Sequence, residues 1–552
     1  MLSPHKPQKL SAMGSLLSWI DRHFLELGRE LRLSYLPPLM VYLAAGISGL
    51  TAIVGTFFVK EYLGLSAEFL AGLAFWAMLP WTLKLPVGHL VDLIWKYKGA
   101  LVFLGASLIA LSLLIMLGLL TDRGAMEAIL PAGQWYVMSV ILAPVGYVIQ
   151  DVVADAMTVE AVPATDEDGR ILSESQQRLM HATMQTLGRV AIIVGTLGVA
   201  LVNVLMFEGV EQMNEADKVM IYRQLYLMAL VIPLISCCGV VLAVILKHRY
   251  KVSLVKLGYT RHEIDHLTHE ARPITTPNWW ILFGGISFGL ISIGVGIAQF
   301  SYGQEVIFIL SLIVIVTLMH RLTREMQSEA RAVLLGTAIL IFFFRAVPTS
   351  GPGSSWWMID VLGFDQSFMA KLSLIGSVLS LLGLFLFRRF MAERSIASVV
   401  AILTLISTLL SLPTIGMYYG LHQWTAALTG GLVDARFIAV IDTALESPLG
   451  HIAMVPMLAW IAHSAPAHLK ATYFAIMASF TNLSLALSQL LTKYLNKAYV
   501  VTREVQDPVS GLITLPANYA ELGHLLIVVT VVGFLVPFGA IWIVKTLRLK
   551  SV

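Results

Sequence analysis

Two carboxylates stand one helical turn apart in Gln150-Asp-Val-Val-Ala-Asp-Ala-Met-Thr-Val-Glu160, so Asp151 and Asp155 share a face of any helix that holds them. In a low-dielectric site such a pair cannot ionise twice without cost, which suits one member to hold and release a proton. The plainer task for the pair is to neutralise a cation, Lys84 or Arg189. Lys84 lies deep in Leu79-Pro-Trp-Thr-Leu-Lys-Leu-Pro-Val-Gly-His-Leu-Val-Asp92, where it either touches substrate or pairs with one of those acids. Gly88 in the same stretch permits close helix approach. Asp92 lies near Lys96 and Lys98. Arg178, His181, Gln185 and Arg189 recur at helical spacing along one stripe. His181 fits a proton relay, Gln185 a hydrogen-bonding contact and Arg178 a gate; polar glue between helices is the alternative for all four.

Further along, Arg345 precedes Ala-Val-Pro-Thr-Ser-Gly-Pro-Gly-Ser-Ser355, a density of Pro and Gly that interrupts a helix and that is tolerated beside a cavity. A guanidinium there is the best candidate for binding an anionic group, since its fork matches a carboxylate. Trp356 and Trp357 read as interfacial anchors. Asp442 and Glu446 repeat the spacing of the first acid pair, and Asn482 and Gln489 lie two turns apart. A separate constellation, His262-Glu263-Ile-Asp265-His266 followed by His269, is a literal H-E-x-x-H, the pattern of a zinc site with Glu263 as base. Asp265 occupies a position usually uncharged in such sites, and the short linker around it holds no substrate-sized domain, so a solvated helix is the preferred reading.

The elements that must hold these groups lie in lipid. Hydrophobic residues make up 57% of the chain and charged ones 13%, with a mean hydropathy of +0.79; a soluble domain carries about a quarter charged residues. The formal net charge of +3 implies no broad basic surface for nucleic acid. No cofactor motif is present, and the only two cysteines, Cys237 and Cys238, are adjacent in an apolar run and read as buried packing. The first thirty residues lack the order of charge, apolar run and cleavage site of a signal peptide.

Apolar stretches of bilayer-spanning length fall near 36–59, 67–94, 99–120, 134–161, 175–206, 222–246, 279–300, 304–320, 332–358, 367–391, 396–418, 431–461, 466–496 and 521–546, about 14 spans. The domains expected are an N-terminal segment (1–35) with an interfacial amphipathic helix at 16–32, a six-helix bundle (36–247), a linker (248–278), an inserted pair (279–322) and a second six-helix bundle (331–547). Lys and Arg cluster in alternate connections (Lys96/Lys98, Lys247/Arg249/Lys251, Arg321/Arg324/Arg331, Arg388/Arg389/Arg394), which places both termini in the cytoplasm. Tyr62-Leu-Gly-Leu-Ser-Ala-Glu-Phe-Leu-Ala71 also aligns with Val361-Leu-Gly-Phe-Asp-Gln-Ser-Phe-Met-Ala370, each between the first and second span of its half.

Trp81-Thr-Leu-Lys84 through Asp92, Asp151-Val-Val-Ala-Asp155-Ala, Ala346-Val-Pro-Thr-Ser350, Leu372 to Gly383 and Pro466 to Asn482 occur in an order that resembles the folate-biopterin transporter family of the major facilitator superfamily. The resemblance implies an all-α polytopic fold of two six-helix halves, here with two extra helices between them, working as a monomer by alternating access. It implies proton-coupled uptake of folate- or pterin-type organic anions, with Asp151, Asp155, Arg345 and Asn482 lining the path. Asp92 resembles the gating acid that facilitator-type transporters carry between spans 2 and 3, which implies a conformational latch. The inserted pair and the Leu-Pro-Trp-Thr-Leu-Lys84 pattern are shared with muropeptide and acetyl-coenzyme A permeases, the alternative among transporters; a metalloenzyme using His262, Glu263 and His266 is the alternative outside them.

Overall fold

The computed structural model describes residues 31–166, 170–268, 277, 279–298, 300–323, 328–386, 395–449, 470–506 and 513–549. Residues 16–30 of the expected interfacial helix lie outside them. The first half comprises α1 (Leu36–Ile47) and α2 (Ala52–Phe58), which share a span, then α3 (Ala67–Met78), α4 (Lys84–Leu93), α5 (Gly99–Thr121), α6 (Ala132–Ala161), α7 (Glu174–Met206), α8 (Glu215–Ala229) and α9 (Val231–Lys256). The linker holds α10 (Arg261–Leu267) and the inserted pair is α11 (Trp279–Ile297) and α12 (Gly303–Thr323). The second half comprises α13 (Ser328–Arg345), α14 (Pro352–Asp360), α15 (Gln366–Leu386), α16 (Ile396–Tyr418), α17 (Ala435–Glu446), α18 (Lys470–Ala498) and α19 (Leu522–Thr546). Ten described helices are long and apolar enough to cross a bilayer, eleven if α3 and α4 count as one bent span. The other three expected spans fall on the interrupted pair α13 and α14, on α17 (residues 450–461 of that expected span lie outside the described residues), and on α18.

The internal repeat is visible as turn chemistry. Gly64 and Gly363, at the same place in the two halves, both adopt a left-handed backbone (φ 62° and 66°) that a side chain would strain. Two residues on, Ser66 Oγ accepts from the Phe69 amide (3.1 Å) and Asp365 Oδ1 from the Phe368 amide (2.7 Å), each capping the helix that follows. Packing is reciprocal as well: the second span of the first half (α3 and α4) lies on the fifth span of the second (α18), and the fifth span of the first (α7) lies on the second span of the second (α15). Such exchange is what two halves related by a pseudo-twofold axis must show.

Lipid offers helices no hydrophobic drive to associate, so close backbone approach and polar bonds do that work. At the crossing of α5 and α6 a Cβ on Gly105 would come within 2.6 Å of the Gly146 carbonyl. Next to it Ser112 and Ser139 hydrogen-bond each other (2.9 Å), and Gln150 donates to the Val102 carbonyl (3.2 Å) while accepting from Ser236 (3.0 Å). Gly88, by contrast, meets Val152 only at ordinary contact distance, so the tight crossing lies on other glycines than the one expected. Gly105→Val is expected to cost about 1–3 kcal/mol by overpacking, read as a lower thermal midpoint of the detergent-solubilised protein; an unchanged midpoint would remove this crossing as a structural element.

Span 7 breaks as expected after Arg345, and α18 supplies what the broken backbone needs. Thr492 Oγ1 accepts from the Thr349 amide (2.9 Å), Ser488 Oγ donates to the Val347 carbonyl (2.7 Å) and Asn496 Nδ2 donates to the Ser350 carbonyl (3.3 Å). Trp356 and Trp357 are buried rather than interfacial, because the break turns α14 into the core. Cys238 is exposed and Cys237 half-buried, so the cysteine pair faces outward from α9 rather than packing inside.

The halves are tied together at the face opposite the lysine and arginine clusters. Lys60 pairs with Asp360 (2.5 Å), Gln366 Nε2 donates to Tyr222 (2.7 Å), and Tyr519, following the β1 (Val505–Gln506) and β2 (Ile513–Leu515) hairpin, donates to Asp360. Burial and the Asp360 carboxylate hold the Tyr519 hydroxyl well above its usual range, so it remains a donor. Beside it Arg503 is 2% exposed and stacks on Trp356 (5.3 Å); burial pushes its guanidinium down to about 10. The inserted pair joins both halves: Gln304 Nε2 donates to the Gly72 carbonyl of α3 (2.9 Å), and Glu305 accepts from Tyr494 and pairs with Lys493 (3.4 Å) of α18.

Candidate functional site

The bend in span 2 sets the position of the central cation. Pro80 and Pro86 withhold backbone donors, a 3-10 turn runs from Leu79 to Leu83, and Lys84 becomes the first residue of α4. A cation at a helix N-terminus opposes the helix dipole, so carboxylates must hold it there. They come from α6. Lys84 Nζ forms an ion pair with Asp151 Oδ2 and lies 3.8 Å from Asp155 Oδ2. Tyr42 of α1 donates to Asp155 Oδ1 (2.6 Å), and Arg189 of α7 is near enough to act electrostatically on Asp155, Lys84 and Tyr42. Four elements thus converge on two carboxylates, two cations and a phenol.

Exposure separates the two acids. Lys84 and Asp151 are largely shielded, at 18% and 19%, whereas the Asp155 side chain is 49% exposed. Its neighbours on α6, Val153 and Ala154, are fully buried. Asp155 is therefore the more accessible of the two acids, while Asp151 holds the cation in place. Of the two readings of the pair, the ion pair shows the neutralisation of Lys84 by Asp151, while Asp155 stays reachable. Tyr42 was not singled out in the sequence, where one tyrosine in the apolar run 36–47 carries no signal.

The remaining candidates divide. Asn482 of α18 donates to the Trp81 carbonyl (3.2 Å), three residues before Lys84, and so joins the second half to the cluster. Arg345, the last residue of α13, is half-buried, and among the described residues it has no hydrogen-bond or ion-pair partner. Asp442 accepts from Thr414 (3.5 Å) with Glu446 beside it on α17; no bond among the described residues links this pair to Lys84. His181 is half-buried on α7, and Gln489 lies two turns beyond Asn482 on α18. Arg178 and Gln185 are placed on α7, with side chains outside the described set. Asp92 is exposed at the end of α4, and the buried Lys98 pairs with Glu160 (2.8 Å), which also takes Lys247 (3.3 Å).

The H-E-x-x-H stretch has a structural occupation. Glu263 accepts from the Thr260 amide and hydroxyl (2.8 Å each), and its own amide donates to Thr260 Oγ1 (3.3 Å), a capping box at the start of α10. These bonds hold the Glu263 carboxyl below the usual range, so the cap persists through neutral pH and is given up as pH falls through that lowered value. No group of metal-binding side chains occurs among the described residues. His266 and His269 lie outside them as side chains. Glu263→Gln is expected to leave transport unchanged and to be insensitive to chelators; a loss of function that zinc restores would revive the metal reading.

Residues 45–549 match the BT1 family. The chain belongs to that family. It is an integral, multi-pass membrane protein, and the relatives and structural neighbours it resembles are named as transporters rather than enzymes. A "Folate-biopterin transporter" of Synechocystis sp. (strain ATCC 27184 / PCC 6803 / Kazusa) is 29% identical over 173 residues, 31% of this chain and 34% of that protein. A "Putative folate transporter 2" of Plasmodium berghei (strain Anka) is 27% identical over 157 residues, 27% of this chain and 32% of that protein. The alignments thus span about a third of each relative's length. Solved structures share the fold. A POT family transporter in complex with 5-aminolevulinic acid superposes with a TM-score of 0.59 at 13% identity, covering 94% of this chain and 96% of that one. An auto-inhibited POT family peptide transporter gives 0.58 at 11% identity, covering 95% and 98%.

Proposed function

We propose that this BT1-family transporter takes up folate- or pterin-type organic anions with protons, by alternating access, as a monomer with both termini in the cytoplasm. The observation that carries the reading is the half-exposed Asp155 beside an ion-paired Lys84, with Arg189 and Tyr42 completing the cluster. With both acids ionised, the two cations are balanced. A proton on Asp155 leaves two cations facing one carboxylate, and a site of net positive charge accepts an anion. Proton and anion therefore favour each other's binding. Release of both on the other side restores the balanced cluster, which is free to reorient empty.

The substrate class follows from donor and acceptor matching. A pterin ring presents N–H groups that a carboxylate of α6 accepts, and a glutamyl tail presents carboxylates suited to the guanidinium of Arg345. Names of the relatives support this class. On the face opposite the basic clusters, Lys60, Asp360 and Tyr519 serve as a gate. Asp360→Asn is expected to speed labelling of cysteines placed in the path from that face; slower or unchanged labelling would mean that the ion pair does not hold the gate.

Uptake of labelled folate, methotrexate and biopterin into proteoliposomes, with and without an inward proton gradient, tests the function. The expected result is gradient-stimulated uptake of at least one compound, lost in Arg345→Ala. Folded protein that moves none of them, yet moves a muropeptide or an acyl-coenzyme A, would replace this substrate class with the alternative one.

A further inference from the structure

On the face that carries the basic clusters a cavity of ≈ 540 Å³ opens between α1, α5, α6 and α9, away from the Asp155 cluster. Its walls are apolar, with Pro37, Phe103, Met157, Val240 and Val244 among them. Among the described residues three lysines line it, Lys96, Lys98 and Lys247, with one carboxylate, Glu160. Glu160 is engaged by Lys98 (2.8 Å) and Lys247 (3.3 Å), and Lys96 is exposed. Gly99 and Ala100, the first residues of the 23-residue α5, also line it. The cavity is continuous with the outer surface of the bundle: Phe103 is 44% exposed, Val244 65%, and their neighbours Leu104 and Val241 50% each.

We propose that this cavity is a binding site for an anionic phospholipid. The excess of lysines suits a phosphodiester without a compensating ammonium. The apolar walls, and their continuity with exposed side chains of α5 and α9, suit acyl chains entering from the bilayer. A small hydrated anion would leave those walls without a partner. A choline headgroup would bring a cation among the lysines, so the site discriminates by headgroup charge. The site touches the transport cluster through α6, which carries Glu160 five residues beyond Asp155.

Native mass spectrometry of the full-length detergent-purified protein, with phosphatidylglycerol or phosphatidylcholine of the same chain length added, tests the site. Phosphatidylglycerol is expected to be retained preferentially, with retention falling about fivefold for each lysine removed in Lys96→Gln and Lys96→Gln/Lys247→Gln. Lys96→Arg/Lys247→Arg should keep it, which separates headgroup charge from folding. Equal retention of the two lipids, or parental retention by the double Gln variant, overturns the proposal. So does displacement of the lipid by inorganic phosphate alone, which would make this a site for a soluble anion.

Discussion

Lys84→Ala is expected to lower folded yield and thermal midpoint more than any other single change in the transport cluster. The substitution leaves Asp151, 19% exposed, without its ion-pair partner. Removing one member of a buried pair costs about 3–5 kcal/mol, because the surviving charge stays desolvated. Arg189 cannot take over readily, since it stands on α7 while Lys84 reaches α6 from the N-terminus of α4. The test is a cycle. Asp151→Asn alone should cost less, and Lys84→Ala with Asp151→Asn should fold better than Lys84→Ala, although neither transports. Costs that simply add would mean the pair is not coupled, and the central role given to it would fall.

Asp155→Asn is expected to do the reverse, keeping the fold and abolishing transport by at least about 100-fold. The amide is isosteric, its oxygen can still accept from Tyr42, and the side chain is only half enclosed. What it cannot do is exchange a proton. Uptake in proteoliposomes should therefore lose its response to a proton gradient, whereas exchange of substrate between two loaded sides should survive better than net uptake. Tyr42→Phe removes one bond to a carboxylate and is expected to slow transport about tenfold. Gradient-driven uptake at the parental rate in Asp155→Asn would move the proton elsewhere, with Asp442 the next candidate.

Much of this arrangement was legible because its signals are local and periodic. Hydropathy located the spans, and the Leu-Gly-x-(Ser/Asp) echo located the two halves, since a left-handed glycine and a helix cap need particular residues at particular offsets. Asp151 and Asp155 announced themselves because charge in an apolar run is costly. What stayed hidden depends on distant pairing. Tyr42 meets Asp155 across 113 residues, and the stripe Ser488, Thr492 and Asn496 reads as ordinary helix until the broken backbone of span 7 lies against it. Lys98 and Glu160 lie 62 residues apart, and only the fold brings them together. Trp356 and Trp357 misled for the same reason: an interrupted helix near a span end suggests an interface, and only the fold shows it turning inward.

The clasp formed by α12 bears on where the machine pivots. Gln304 holds the backbone of α3 and Glu305 holds Lys493 and Tyr494 of α18, so consecutive residues of a helix outside both halves grip one span of each. Doors hung on a shared hinge swing least beside the pin and most at the far edge. Under the alternating access proposed above, a grip lying toward the face of Lys60 and Asp360 is expected to let a small rotation displace the ends of α3 and α18 little there and the lysine-rich ends of the bundle much further. On that mechanism the extra pair trades travel on one side for travel on the other.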